Sequence, residues 1–329
     1  MAWGGRVLYS STALYQGFLA NPAPTIYYVF VAMTYLLRSA CAKMEIIVRY
    51  PRSHRTKFTT MVLTPDNSGI SRLVGDNSPE NITLAPGQLA SFPGGIWMLG
   101  GSDTVRGASD AERIFGNDGK DSLLGGAGND SLYGGKDDDD ILGETGDDFL
   151  TGDRNSDFLD GGAGNDLLRG GQGVDLLVGG DGNDTLIGDR DVDIYKGGAG
   201  SDVFVFRVDQ AGIKTVGIEL PDAVIVDFDK SSDSIGISVP FTSNNISFEQ
   251  VSYSLNDPRL LLLNPATISG GTSLLAKGGI SQQSLDPDGN GRVEATNIRF
   301  GVTNALLGTV LNVTPADLTG RLINASSLL

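Results

Sequence analysis

Cysteine and histidine are almost missing from this 329-residue chain, which has one of each. With Cys41 alone no intramolecular disulfide can form, so stability in an oxidising compartment has to come from another source. His54 stands among Arg52, Arg55 and Lys57, a setting that disfavours a bound cation. There is no His-Glu-x-x-His, no Gly-x-Ser-x-Gly and no phosphate-binding loop, which removes the familiar zinc-protease, serine-hydrolase and nucleotide-hydrolase constellations. A non-catalytic protein is expected. Long apolar runs are missing too. The stretch from Ile26 to Leu37 is about a dozen residues against the ~20 of a spanning helix, and Asn21, Pro22 and Pro24 bar its extension. The same stretch begins late for a cleaved export signal, although Ser39 to Ala42 are small enough to precede a cut.

Positive charge is scarce beyond the first sixty residues. The net charge is −16, yet residues 1–60 hold Arg6, Arg38, Lys43, Arg49, Arg52, Arg55 and Lys57 against the single acid Glu45, leaving about −22 for the rest. That balance repels nucleic acid and anionic membranes; it suits multivalent cations, or serves as a solubilising surface. The break after Met61 separates a basic segment, 1–60, expected to lie outside the fold, from a lead-in of linker or short strands over 61–97.

Glycine is abundant, at 46 residues, and crowds with the aspartates between Gly100 and Gly200. From Gly116 the chain divides every nine residues without a gap into ten units, among them GGAGNDSLY, GGAGNDLLR and GGDGNDTLI. The sixth position is always aspartate: Asp121, Asp130, Asp139, Asp148, Asp157, Asp166, Asp175, Asp184, Asp193 and Asp202. The eighth is always large and apolar, from Leu123 and Leu132 to Tyr195 and Phe204. Two worn units precede these, marked by Asp103 with Val105 and by Glu112 with Ile114.

A period this short predicts a flattened solenoid with two units per coil, a six-residue turn and a three-residue strand in each unit. Alternation along the strand points the eighth position inward and its neighbours outward. Tight turns with positive φ explain the glycines. Where the second position departs from Gly it becomes Asn117, Glu144, Asp153 or Asp189, and where the fourth departs it becomes Asp137, Asn155 or Asp191. All but Glu144 are types that accept the left-handed region. The aspartates then fall on alternate edges as two ladders, with carboxylates roughly 4.8 Å apart. Ions between successive coils, held by carboxylates and glycine carbonyls, relieve the repulsion with hard oxygen ligands, a chemistry that suits calcium better than zinc or magnesium.

The pattern Gly-Gly-x-Gly-x-Asp-x-apolar-x resembles the RTX, or hemolysin-type, calcium-binding repeat over residues 98–205. The resemblance implies an all-β chain with a right-handed parallel β-roll, many bound calcium ions, and export through a type I secretion apparatus to the cell exterior or surface. Ser201–Phe206, Val224–Asp229 and Ser234–Ile237 resemble the β-rich cap that closes such rolls, placed here over 206–329. In that family a C-terminal tail such as 305–329 serves as an uncleaved secretion signal; as plain sequence it equally fits a last packing element, with a short helix near Pro315–Leu318.

A second ion site is expected at 286–297, where Asp286, Asp288, Asn290 and Glu294 carry oxygens at EF-hand-like positions one, three, five and nine, although Asn297 stands at position twelve. Two other functions compete with calcium-driven folding. Phe149 and Leu167 on one outer face, and Phe158, Leu176 and Ile194 on the other, would give an adhesive or structural surface protein its docking stripes unless the termini cover them. A calcium-dependent hydrolase is the other, with only about a hundred residues ahead of the array to build it from.

Overall fold

The computed structural model describes residues 28–32, 45–49, 60–65, 71–208, 214–215, 218–219, 221, 223–242, 244–254, 257, 274–301 and 304–328. Most of the basic segment 1–60, with Cys41 and His54, lies outside them. The chain winds as a parallel β-solenoid whose successive units alternate between two sheets. One runs through Arg113–Asp118, Ser131–Lys136, Phe149–Arg154, Leu167–Gln172, Thr185–Arg190 and Val203–Phe206. The other runs through Thr104–Arg106, Ser122–Ala127, Asp140–Thr145, Phe158–Ala163, Leu176–Asp181 and Asp193–Ala199. Registers such as Leu132↔Leu150 and Leu150↔Leu168 place equivalent positions of alternate units beside one another, so two units make one coil.

From Arg113–Asp118 to Thr185–Arg190 the strands are six residues long, not three. Each takes positions seven to nine of one unit and the first three of the next, because the positive φ at position two bends the backbone while inter-coil pairing continues through it, as at Glu144↔Gly162. All seven non-glycine substitutes named above, Glu144 included, have φ between 72° and 75°. Glycine at position four adopts wider angles, 140° at Gly182, and a Cβ there would lie inside van der Waals contact with the Gly164 carbonyl of the preceding coil. Gly182→Ala should therefore cost about 1–3 kcal/mol in the calcium-loaded chain, seen as a lower denaturation midpoint.

All ten eighth-position side chains are buried, with relative exposures of 2 % or less. They form one continuous core that Leu73, Ile96, Val105 and Ile114 extend upstream and Ile225, Ile235, Ile237 and Val310 extend downstream. Each contributes roughly 1.5–3 kcal/mol when fully buried. No single unit could bury such a side chain alone, so stacking is the source of stability.

Beyond Phe206 the coiling continues before it closes. Ala223–Ile225 pairs in parallel with Asp193–Ala199, Ser234–Ile237 with Val203–Phe206, Ala305–Leu311 with Ala223–Ile225, and Leu322–Asn324 with Ser234–Ile237. Ile246–Ser254 and Arg292–Phe300 then add antiparallel strands at the edge. The segment after Thr314 is a run of turns, with the Thr314 amide and hydroxyl donating to Asp317, in place of the expected helix. At the other end Thr60–Pro65 pairs antiparallel with Ser71–Val74, which joins the larger sheet beside Ile96–Trp97. Among the described residues no helix is long and apolar enough to cross a membrane.

One outward stripe is covered by the chain itself. Phe158, Leu176 and Ile194 are buried against Leu275, Ile280 and Leu285 of the segment that holds the short helices Leu274–Lys277 and Gln282–Leu285. Lys277 pairs with Asp140 and lies over the Phe158 ring, while Lys196 Nζ donates to the Gly278 carbonyl at 2.9 Å. On the opposite face Leu167 packs beside Ile187, Val205 and Ala325, and Phe149 rests against Tyr133 at 5.6 Å between ring centroids. The docking stripes on which an adhesive function depends are thus mostly occupied.

Candidate metal centre

The six-residue strands leave positions four to six as a tight turn that aims each sixth-position aspartate back under its own unit. There every carboxylate takes up one fixed task. Its Oδ1 accepts a hydrogen bond from the backbone amide of the aspartate one coil earlier: Asp121 from Asp103, Asp139 from Asp121, Asp157 from Asp139, Asp175 from Asp157 and Asp193 from Asp175, at 2.7 to 3.0 Å. The opposite edge repeats the arrangement through Glu112, Asp130, Asp148, Asp166, Asp184 and Asp202, at 2.7 to 2.9 Å. The two ladders expected from spacing are present. Spacing could not reveal that half of each carboxylate is already spent on the neighbouring backbone.

The other oxygen is left over. In nine of the ten repeat aspartates, all but Asp193, the Oδ2 atom is buried with no hydrogen-bond partner, and Asp103 shows the same orphan. In the repeats each Oδ2 faces the position-one glycine five residues earlier, close to where a side chain would begin. At Gly116, Gly134 and Gly152 that point also lies 2.7, 3.0 and 2.7 Å from the carbonyl oxygen of the equivalent residue in the next coil. In the ten repeats position one is glycine because carboxylate and carbonyl oxygens converge on the space a Cβ would fill.

Electrostatics add to the argument. Burial, with neighbouring carboxylates adding to it, pushes Asp157 up to about 10 and Asp139 and Asp175 up to about 8. Asp121, Asp130, Asp166 and Asp202 rise to about 7, and Asp148 and Asp184 to about 6. Burial also drives Asp193 well above the usual carboxylate range. So many acids held dry in a row call for counter-charge. Repeated orphan carboxylate oxygens, carbonyls turned to the same point and nothing but oxygen donors fit a hard cation of flexible coordination such as calcium. Among the described residues no three acidic, imidazole or thiol side chains converge on one point, so the remaining ligands would be carbonyls and water.

The 286–297 loop is built differently. Asp286 accepts from the Asn290 amide at 3.1 Å and the Gly291 amide at 2.8 Å, bonds that hold its carboxyl below its usual value against the opposing effect of burial. Asn290 Nδ2 donates to Asp288 at 2.7 Å, and Ser252 donates to Glu294. From Arg292 the chain is a strand, which carries Asn297 into the sheet, where its Oδ1 accepts from Tyr253 and Thr309 at 3.0 and 2.8 Å. Asn297 is therefore committed elsewhere, and Asp286, Asp288 and Asn290 stand together without it.

Sequence reasoning missed Glu80 and Asp233, which lengthen the ladders by a coil at opposite ends. The Glu80 amide donates to Asp103 Oδ1 at 2.7 Å, and the Asp202 amide to Asp233 Oδ1 at 3.0 Å. Neither keeps the nine-residue frame.

A family model for the RTX calcium-binding nonapeptide repeat, four copies long, matches at six overlapping positions spanning residues 99–204. No curated protein matches the chain.

Proposed function

Because residues 99–204 are RTX calcium-binding nonapeptide repeats, we propose that this chain is a non-catalytic protein that calcium folds outside the cell. The row of buried, partnerless Oδ2 atoms carries the reading. Without a cation the ladders set like charges side by side in a dry setting, and a glycine-rich array must also meet a large ordering entropy from narrow cores. Ion binding offsets both, and over many sites its free energy becomes folding free energy.

Sites of extracellular type have affinities of roughly 10⁻⁴–10⁻³ M, far too weak to fill at cytosolic calcium levels. The chain would accordingly cross a type I secretion apparatus unfolded and fold where calcium is plentiful. In this reading 98–205 is the folding unit, 206–329 its cap, and Asp286, Asp288, Asn290 and Glu294 an accessory calcium loop.

The test is a calcium titration of the full chain followed by far-UV circular dichroism, with magnesium as control. A cooperative coil-to-β transition in the millimolar range is expected, weakened by Asp157→Ala and Asp175→Ala. Magnesium should not produce it, since that ion demands a regular octahedron and dehydrates reluctantly. A spectrum already β-rich in chelator and unmoved by calcium would overturn the proposal.

A further inference from the structure

We infer that Glu80, one coil before the matched repeats, and Asp103 hold an additional calcium ion at the upstream end of the roll. The inference rests on the calcium reading of the ladders and extends it to Glu80, a residue outside the nonapeptide frame. Gly75, Glu80 and Ile82 have the internal spacing of Gly116, Asp121 and Leu123, five residues and then two. They escape the periodicity because 23 residues, not 18, separate Glu80 from Asp103.

The structure absorbs that insertion in the turns between Leu84 and Gly95 and restores the register on both sides. Leu73 pairs with Ile96 and Val74 with Trp97, while Asn81, Ile82 and Thr83 pair with Thr104, Val105 and Arg106. The polar pattern is restored as well. The Glu80 amide donates to Asp103 Oδ1 at 2.7 Å, and the Thr104 amide to the Glu80 carbonyl at 2.8 Å, just as the Ser122 amide donates to the Asp103 carbonyl at 2.8 Å.

Glu80 itself is 4 % exposed, and its Oε2 has no hydrogen-bond partner. That oxygen faces the point where a Gly75 side chain would begin, and the Met98 carbonyl oxygen lies 3.1 Å from the same point. These are the counterparts of Asp121 Oδ2 and the Gly134 carbonyl around Gly116. Asp103 Oδ2 is a second buried orphan on the adjoining rung, and among the described residues no ion pair reaches either acid. The longer side chain suits the terminal rung. Among the described residues Asn81–Thr83 is the last strand of its sheet and no earlier coil lies beyond residue 80, whose Oε1 accepts from the Asp76 amide at 3.1 Å.

The experiment counts calcium bound to the full chain by equilibrium dialysis, for the wild type and for Glu80→Gln, which keeps the Oε1 acceptor and removes the charge. The variant should fold at saturating calcium with one ion fewer. Terbium provides a local readout, because Trp97 neighbours Met98 and the chain's other tryptophan is Trp3. In a Trp3→Phe background, tryptophan-sensitised terbium emission should fall several-fold on Glu80→Gln. An unchanged count with unchanged emission overturns this inference and leaves the repeat sites standing, whereas a wild type that binds no calcium overturns the parent reading. If Glu80→Gln fails to fold at any calcium concentration, Glu80→Asp decides the matter. Folding of that charged variant supports the site; its failure would make residue 80 a packing element and overturn the proposal.

Discussion

Asp157→Asn should stabilise the calcium-free roll and destabilise the calcium-loaded one. Asp157 is fully buried, and its Oδ1 accepts the Asp139 amide at 2.7 Å while its Oδ2 has no partner. Asparagine preserves the acceptor and removes the ionisable group. Burial, reinforced by Asp175, pushes the Asp157 carboxyl up to about 10, so without calcium the folded chain must either hold a dry charge or take up a proton. Relief of that cost should raise stability in chelator by roughly 1–4 kcal/mol. With calcium the order reverses, because the ions beside rung 157 lose a charged ligand. Asp157→Ala behaves differently, since the Asp139 amide also loses its acceptor at a cost of about 1–3 kcal/mol, and that variant should be weaker in both conditions. The β content of the three chains in chelator, followed by far-UV circular dichroism, and their denaturant midpoints in excess calcium decide the matter. A loss of stability by Asp157→Asn in chelator would mean that the carboxylate charge itself supports the fold.

The second large effect concerns pH. Asp121, Asp130, Asp139, Asp148, Asp166, Asp175, Asp184 and Asp202 have folded-state values of about 6 to 8 against 3.8 for a free aspartate. Between those limits the folded chain binds more protons than the unfolded chain, so stability falls as pH rises. The contribution is fully present below about pH 4 and is lost as pH climbs through 6 to 8. The calcium-free protein should therefore gain β-structure and a higher melting temperature on acidification from about pH 8 to about pH 5. Calcium inverts the trend, because protons and ions compete for the same oxygens and acidification weakens binding. On acidification across that range, β content in chelator should rise while the melting temperature in calcium falls. A calcium-free β content that falls on acidification would refute the ladders as buried, cation-demanding acids.

Several of these features are legible in the residues themselves. A nine-residue period that never slips between Gly116 and Val205 dictates two units per coil, an inward eighth position and an aspartate on alternate edges. Left-handed turn positions follow from which residue types replace glycine, and Asn117, Asp137 and Asp191 sit at φ near 74° as those types require. Such information is local or strictly periodic, and for that reason it survives in one dimension.

What depends on the third dimension is whatever interrupts the period or joins distant segments. The strands are longer than the turn count implied, because inter-coil hydrogen bonds run through the bend at position two. Glu80 belongs to the ladder although five extra residues hide it, since an insertion looping out from the coil leaves the stacking beneath it intact. Asn297 matches a ligand position by count but sits bonded to Tyr253 and Thr309, because a strand follows the loop where an EF-hand needs a helix. Composition could mark Phe158, Leu176 and Ile194 as an outward apolar stripe. That Leu275, Ile280 and Leu285 return from about a hundred residues away to cover it was decided by packing, for hydrophobic burial is non-directional and leaves no spacing rule in the sequence.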